Sequence, residues 1–218
     1  MNRKLVIFGN SNYAQMVAAF WKEKTFYDVV AHAIDSDYIY GNELVDTKAF
    51  DCKTFPPEEY DLFMALGYKK MRMRHNFFIR FMELGYHMPN LISEKAILHD
   101  NITFGSNNIV FPGAIVERNT IFGHNNTLWS HVTICHDSTI GSHNFFAAGA
   151  TIGGGVTVGD LSFFGFNSCV KQYKKLGNET LLGALSFLNK NTGNHEQWLG
   201  SPAVCRADHS AVGIVISE

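Results

Sequence analysis

The sequence predicts an α/β domain built on a small parallel sheet, followed by a long repetitive β solenoid. Two observations carry that prediction. Over roughly the first ninety residues, short apolar runs alternate with stretches of helix-like apolar spacing, the pattern of a parallel sheet with helices on its faces. From Ile92 the rhythm changes to a strict period of six, as expected of stacked repeats.

The elements follow in order. Leu5-Val6-Ile7-Phe8 reads as a buried strand ending at Gly9, and Tyr13 to Lys24 as a helix with apolar residues at Met16, Val17, Phe20 and Trp21. Val29 to Ile34 is a second strand and Phe63 to Leu66, before Gly67, a third. Lys69 to Leu84 is an amphipathic helix, and Tyr86 to Leu91 a last strand. Every sixth residue from Ile92 through Phe122 and Ile152 to Leu188 is then apolar. At 46% hydrophobic residues, 17 such positions in a fixed register would arise by chance about twice in a million. Glycine often follows the apolar residue, as at Gly105, Gly123, Gly141 and Gly159, and small residues recur three further on, as at Ala114, Ser138 and Ala150. Each six-residue side is expected to point its apolar group inward and bend at the glycine or small residue. Residues 1–91, 92–188 and 189–218 are the expected divisions.

Composition narrows the function. With 218 residues, 17% charged and 5 prolines, the chain has enough apolar material for a core and no disordered character. No apolar run approaches the ~20 residues of a membrane helix, and the opening MNRKLVIFGNS lacks a cleavable apolar stretch, so a cytoplasmic protein without membrane contact is expected. A net charge of -2 lacks the basic excess of nucleic-acid binders and favours a small-molecule partner. Cys52, Cys135, Cys169 and Cys205 show no CxxC spacing, which reads as reduced thiols. His124, His131, His136 and His143 occupy different hexad positions and are not expected to converge on a metal.

The hexad pattern over 92–188 resembles the hexapeptide-repeat acyltransferases, whose left-handed β-helix uses three sides, or 18 residues, per coil. On that coil His136 lies beneath Gly154 and Asp137 beneath Gly155. The run Gly153-Gly154-Gly155 would strip side chains from the wall above Cys135-His136-Asp137, letting a slender ligand such as a pantetheine arm reach the imidazole. The competing reading is a tight corner of glycines beside a solvated surface histidine.

The segment Ile134-Cys135-His136-Asp137-Ser138-Thr139-Ile140-Gly141 resembles the His-(Asp/Glu)-x-x-Ile-Gly signature of sugar acyltransferases related to sialic acid O-acetyltransferase and to bacterial amino-sugar N-acetyltransferases, and Gly200-Ser201-Pro202-Ala203 resembles their Gly-x-Pro-Ala tail. The resemblance implies that His136 is the general base supported by Asp137. It implies acetyl-CoA as co-substrate, contacted by Gly154, Gly155, Phe166, Ala184, Ser201, Pro202 and Ala203, with the C-terminal segment completing the groove. It also implies a homotrimer. An imidazole with a reference pKa of ~6.5 suits removal of a proton from an amine or hydroxyl attacking a thioester. A covalent route through Cys135 or Cys169 is weaker, because no basic neighbour besides His136 lowers either thiol. The chain departs from relatives at Trp129 and Phe145, where an Asn and a polar residue are common.

In the N-terminal half, Gly9-Asn10-Ser11-Asn12-Tyr13-Ala14 follows the first strand and opens a helix, a degenerate glycine-rich turn that either admits phosphate or merely joins strand to helix. Asp35 stands at the end of the second strand, where a carboxylate accepts from sugar hydroxyls, and Asp37 either shares this role or only caps a turn. Lys69, Lys70, Arg72 and Arg74 read either as phosphate contacts or as a solvated helix face. This half is similar to the Rossmann-like N-terminal domain of the same acetyltransferases, which implies that Asn10, Ser11, Tyr13, Asp35, Asp37 and Lys69 hold a nucleotide-linked sugar. The resemblance implies N-acetylation of the 4-amino group of a nucleotide-linked 4-amino-4,6-dideoxyhexose for surface glycans. The alternatives are sugar O-acetylation and a non-catalytic sugar-binding scaffold.

Overall fold

A computed structural model describes residues 3–23, 26–39 and 46–216. The chain divides into two compact units, Met1–Gly67 with Asn76–Pro89, and Tyr68–His75 with Asn90–Glu218. The segment 68–75 is counted with the second unit.

The first unit is a four-stranded parallel sheet of β1 (Arg3–Phe8), β2 (Tyr27–Ile34), β3 (Thr47–Ala49) and β4 (Tyr60–Met64), in the order β3-β2-β1-β4. Leu5, Val6, Ile7 and Phe8 are fully buried because β1 lies second from one edge with its side chains covered on both faces. α1 (Asn12–Lys22) starts where the Ser11 hydroxyl accepts the Ala14 N–H at 3.4 Å. The expected helix end at Lys24 lies outside the described residues. On one face Phe8 meets the rings of Phe50, Phe77 and Phe81 with centroids 4.6–5.6 Å apart. α2 (Met71–Glu83) supplies Phe77 and Phe81.

The sequence pattern does not reveal β3, because Thr-Lys-Ala carries no apolar signal. Tyr86 to Asn90 form no strand, and Leu91–Ile92 open the solenoid instead. Tyr86 turns its ring into the core against Phe50 and Phe81 while its hydroxyl donates to the Phe55 carbonyl. Pro89 has no N–H with which to extend a ladder.

The second unit is a three-sided left-handed parallel β-helix. Among the described residues, two-residue strands run from Leu91–Ile92 to Phe187–Leu188, each ending on a hexad residue. Strands pair with those 18 residues away, as in Thr133↔Thr151↔Cys169. Val110, Leu128, Ile134, Phe146 and Phe164 fill the interior with no exposure, each worth roughly 1.5–3 kcal/mol of burial. Leu98 is exposed, because the first coil has none beneath it.

The bends are not where the glycines predicted. The left-handed residue of each corner comes two positions later, at Asn101, Asn107, Gly113, Asn119, Asn125, His131, Asp137 and onward every six residues to Leu185, with φ between 51° and 76°. Asn and Asp tolerate that region because their short side chains bond locally. The glycines serve close approach instead: a Cβ on Gly141 would stand 2.8 Å from the Gly159 carbonyl oxygen of the next coil. Side-chain ladders run up the corners. Asn108, Asn126 and Asn144 each accept the N–H 18 residues on at 2.7–2.9 Å, satisfying buried polar groups. The C-terminal segment extends the solenoid: Glu196–Leu199 pairs parallel with Leu181–Leu182 and antiparallel with Val204–Asp208.

Candidate active site

His136 stands in the corner after the Thr133–Ile134 strand, and Asp137 is that corner's left-handed residue, at φ 58°. This conformation folds the carboxylate back so that its Oδ2 lies 2.7 Å from His136 Nδ1. The other oxygen, Oδ1, accepts from Asn119 Nδ2 at 2.9 Å, one coil below, and Asn119 accepts in turn from Asn101 at 3.3 Å. The Asn119 bond first, then His136, holds the Asp137 carboxyl below the usual carboxylate range. An ionised carboxylate only accepts, so Nδ1 carries the hydrogen and the lone pair of a neutral His136 is on Nε2. The His136 N–H donates to Glu117 Oε2 at 2.9 Å.

Nε2 faces bare main chain. A Cβ built on Gly154 would stand 2.8 Å from both Nε2 and Cε1 of His136. The ring opens on a recess of about 480 Å³ lined in part by Glu117, Cys135, Gly154, Cys169 and Lys171. The three glycines are not equivalent. Gly153 lines the recess, yet its missing Cβ makes room for the Gln172 backbone nitrogen at 2.6 Å. Gly155, at φ 64°, lies outside the recess lining, and the Tyr173 ring occupies the space its Cβ would take. Only Gly154 yields its space to the imidazole. Gly154→Ala is therefore expected to displace the His136 ring and cut turnover at least ~10-fold with the solenoid intact; steady-state rates alongside far-ultraviolet circular dichroism check this, and an unchanged rate would mean that the ring needs no such clearance.

The remaining expected donor contacts are dispersed. Phe166 and Ala184 line a separate apolar pocket of about 470 Å³ with Trp129, Phe145 and Phe163, sharing no residue with the recess. Ser201 and Pro202, joined by a cis peptide bond, are exposed. Ala203 is 1% exposed and its side chain packs in the solenoid core. Burial raises the thiol pKa of Cys135 and Cys169, reinforced at Cys135 by the Glu117 charge, which makes both poor nucleophiles.

In the first unit, Asn10 donates to the Tyr38 carbonyl at 3.5 Å, Ser11 is spent as a helix cap, and Asp37 is exposed. Asp35 is not free for a ligand alone: Arg80 NH1 donates to both its oxygens at 2.6 and 2.8 Å. Sequence reasoning missed that partner, since Arg80 stands 45 residues away on α2. Lys69 belongs to the second unit, where its carbonyl accepts from Ile216. Neither arginine beside it is a solvated helix face: Arg72 clasps Glu179 at 3.0 Å, and buried Arg74 donates to Asn125 and Thr127. The histidines also separate. His124 Nδ1 accepts the Ser106 N–H at 2.9 Å and His143 Nδ1 meets Asn125 at 2.9 Å, both within coil ladders. Among the described residues no group of three His, Cys, Asp or Glu side chains is placed to hold a metal ion.

Sequence reasoning also missed Glu117 and Asn119. The 18-residue stacking that led from His136 up to Gly154 leads down from Cys135 to Glu117 and from Asp137 to Asn119.

Fold and dyad together describe a hexapeptide-repeat solenoid bearing a His-Asp pair against open main chain. That fold is shared by solved acetyltransferases. The acetyltransferase domain of PglB from Neisseria gonorrhoeae FA1090, in complex with acetyl coenzyme A, superposes with a TM-score of 0.83 at 20% identity, over 94% of this chain and 100% of that one. A mutant of perosamine N-acetyltransferase from Caulobacter crescentus, in complex with CoA and GDP-perosamine, gives 0.83 at 19% identity over 94% and 97%. WeeI from Acinetobacter baumannii AYE gives 0.82 at 17% identity over 94% and 100%. At these identities the likeness is one of fold. No family model matches the sequence, and no curated protein matches it significantly.

Proposed function

We propose that the chain is an acetyl-CoA-dependent N-acetyltransferase acting on the 4-amino group of a nucleotide-linked 4-amino-4,6-dideoxyhexose, in the synthesis of lipopolysaccharide or another surface glycan. The observation that carries the reading is the Nε2 lone pair of His136 facing the bare main chain of Gly154, its tautomer fixed by Asp137. Support comes from two proteins of this fold solved with acetyl coenzyme A or with CoA and GDP-perosamine.

In this reading the neutral amine attacks the thioester carbonyl carbon and the C–N bond forms. His136 Nε2 takes the amine proton, and the imidazolium is stabilised by Asp137. The tetrahedral intermediate then expels the thiolate, which recovers that proton as the C–S bond breaks, leaving an amide and free CoA. No covalent enzyme intermediate forms, in keeping with the raised thiol pKa of Cys135. Gly154 admits the donor, with Gly155, Phe166, Ala184, Ser201, Pro202 and Ala203 as the further donor contacts expected from family precedent. Asn10, Ser11, Tyr13, Asp35 and Asp37 of the first unit hold the nucleotide part of the sugar substrate. The working form is a cytoplasmic homotrimer, to be checked by light scattering.

The test is release of CoA thiol from acetyl-CoA with a panel of nucleotide-linked sugars. Release with 4-amino sugars and not with their 4-hydroxy counterparts is the expected result. Release with hydroxy sugars alone would establish O-acetylation instead, and no release with either would leave a binding scaffold.

A further inference from the structure

We infer that Glu117 is the specificity-determining residue that selects an amine over a hydroxyl acceptor, its carboxylate receiving the acceptor nitrogen beside His136. The inference rests on the acyl-transfer reading above and names a feature of the same site.

Glu117 follows the Ile115–Val116 strand, one coil below Cys135, and is half-buried. Its Oε2 is committed to the His136 N–H at 2.9 Å, which anchors the carboxylate beside the base. Among the described residues Oε1 has no hydrogen-bond partner. The recess lining contains one carboxylate, that of Glu117, and one cationic side chain, that of Lys171. The same carboxylate also disfavours the thiolate of its neighbour Cys135, second to burial. A fixed, half-used anion next to the base is a receptor for a cationic hydrogen-bond donor.

The acceptor chemistry supplies such a donor. A sugar amine is largely an ammonium ion near neutral pH, with three N–H groups and a charge. A hydroxyl offers one neutral donor. Charge-assisted hydrogen bonds are about twice as strong as neutral ones, so the carboxylate discriminates by charge before any chemistry occurs. Once one proton has left to solvent, the neutral amine still donates to Oε1 while its lone pair is free for the thioester.

Glu117→Gln separates this role from a merely structural one. The glutamine oxygen can still accept the His136 N–H, so the corner is preserved and only the charge is removed. Two measurements are made on the full-length protein: calorimetric binding of a 4-amino sugar nucleotide without acyl donor, and steady-state kinetics with acetyl-CoA. We expect amino-sugar binding about 10-fold weaker and acceptor KM about 10-fold higher in the variant, with kcat and the KM for acetyl-CoA within about 3-fold of the parent. Discrimination against the 4-hydroxy counterpart should fall by the same ~10-fold. Unchanged amino-sugar binding, or a fall in kcat with acceptor KM unchanged, would overturn the inference, the latter assigning Glu117 to positioning His136 alone. If the parent protein releases no thiol from acetyl-CoA but the variant loses amino-sugar binding, the acyl-transfer reading fails while the receptor role of Glu117 stands.

Discussion

Replacing His136 with alanine is expected to lower turnover by at least ~10², toward the upper end of the ~10²–10⁴ that a positioned base contributes. The ring is half-exposed, with 48% of its side-chain surface accessible, and its recorded side-chain hydrogen bond is the one to Asp137, so its removal opens no cavity in the solenoid. The far-ultraviolet circular dichroism and the melting temperature should therefore stay close to those of the parent. The loss should fall on kcat, because the imidazole acts on a proton in flight and not on the bound ground state. Asp137→Asn is expected to cost less, about 10-fold. The asparagine can accept from the ring through its oxygen, but it can also donate to Nδ1 and stabilise the tautomer with the proton on Nε2, where it blocks the base. Near-parental kcat in the alanine variant would remove His136 as base and turn attention to the carboxylate of Glu117.

The period of six made the solenoid legible because a coil of stacked sides has one interior position per side, and apolar side chains cannot be left off it. The corner was harder to read. Asn101, Asn107, Asn119 and Asn125 carry the usual residue for a left-handed turn, but Leu161, Tyr173, Glu179 and Leu185 hold the same conformation without the usual chemistry, which dilutes the signal below that of the glycines. Those glycines are conspicuous for another reason, the contact between neighbouring coils. The dyad is legible as two adjacent residues, whereas its supports stand 18 and 19 residues back, one coil down, where no local pattern marks them. Gly154 and Phe166 are 12 residues apart, two sides of the prism and not a whole coil, so within one chain they stand at different corners. In the first unit, Arg80 on Asp35 depends on how α2 packs against the sheet, which no local pattern encodes.

Acidification should destabilise the protein through His143, and the His143→Asn variant should lose much of that sensitivity. His143 is 4% exposed, and its pKa is lowered from 6.5 to about 3. Burial is the largest cause, followed by the like charges of Arg74, His75 and His124 around it. The His75 ring lies edge-on at 4.9 Å, and Asn125 donates to His143 Nδ1 at 2.9 Å, a bond that a neutral imidazole can accept and an imidazolium cannot. Because the folded pKa lies below the unfolded one, the unfolded chain binds a proton between these two values that the native chain refuses. The stabilising contribution is whole above about pH 6.5 and is lost progressively as pH falls toward about 3. At 1.36 kcal/mol per unit of difference, acidification from about pH 7.5 to about pH 5 should remove on the order of 2 kcal/mol through this one group. In His143→Asn the new side-chain oxygen can take the Asn125 hydrogen bond and extend the ladder that runs from Asn107 to Asn125. Urea midpoints of parent and variant at the two pH values check this. The parent should lose more stability than the variant by about that amount, and parallel losses in the two would show that His143 is not the group resisting protonation.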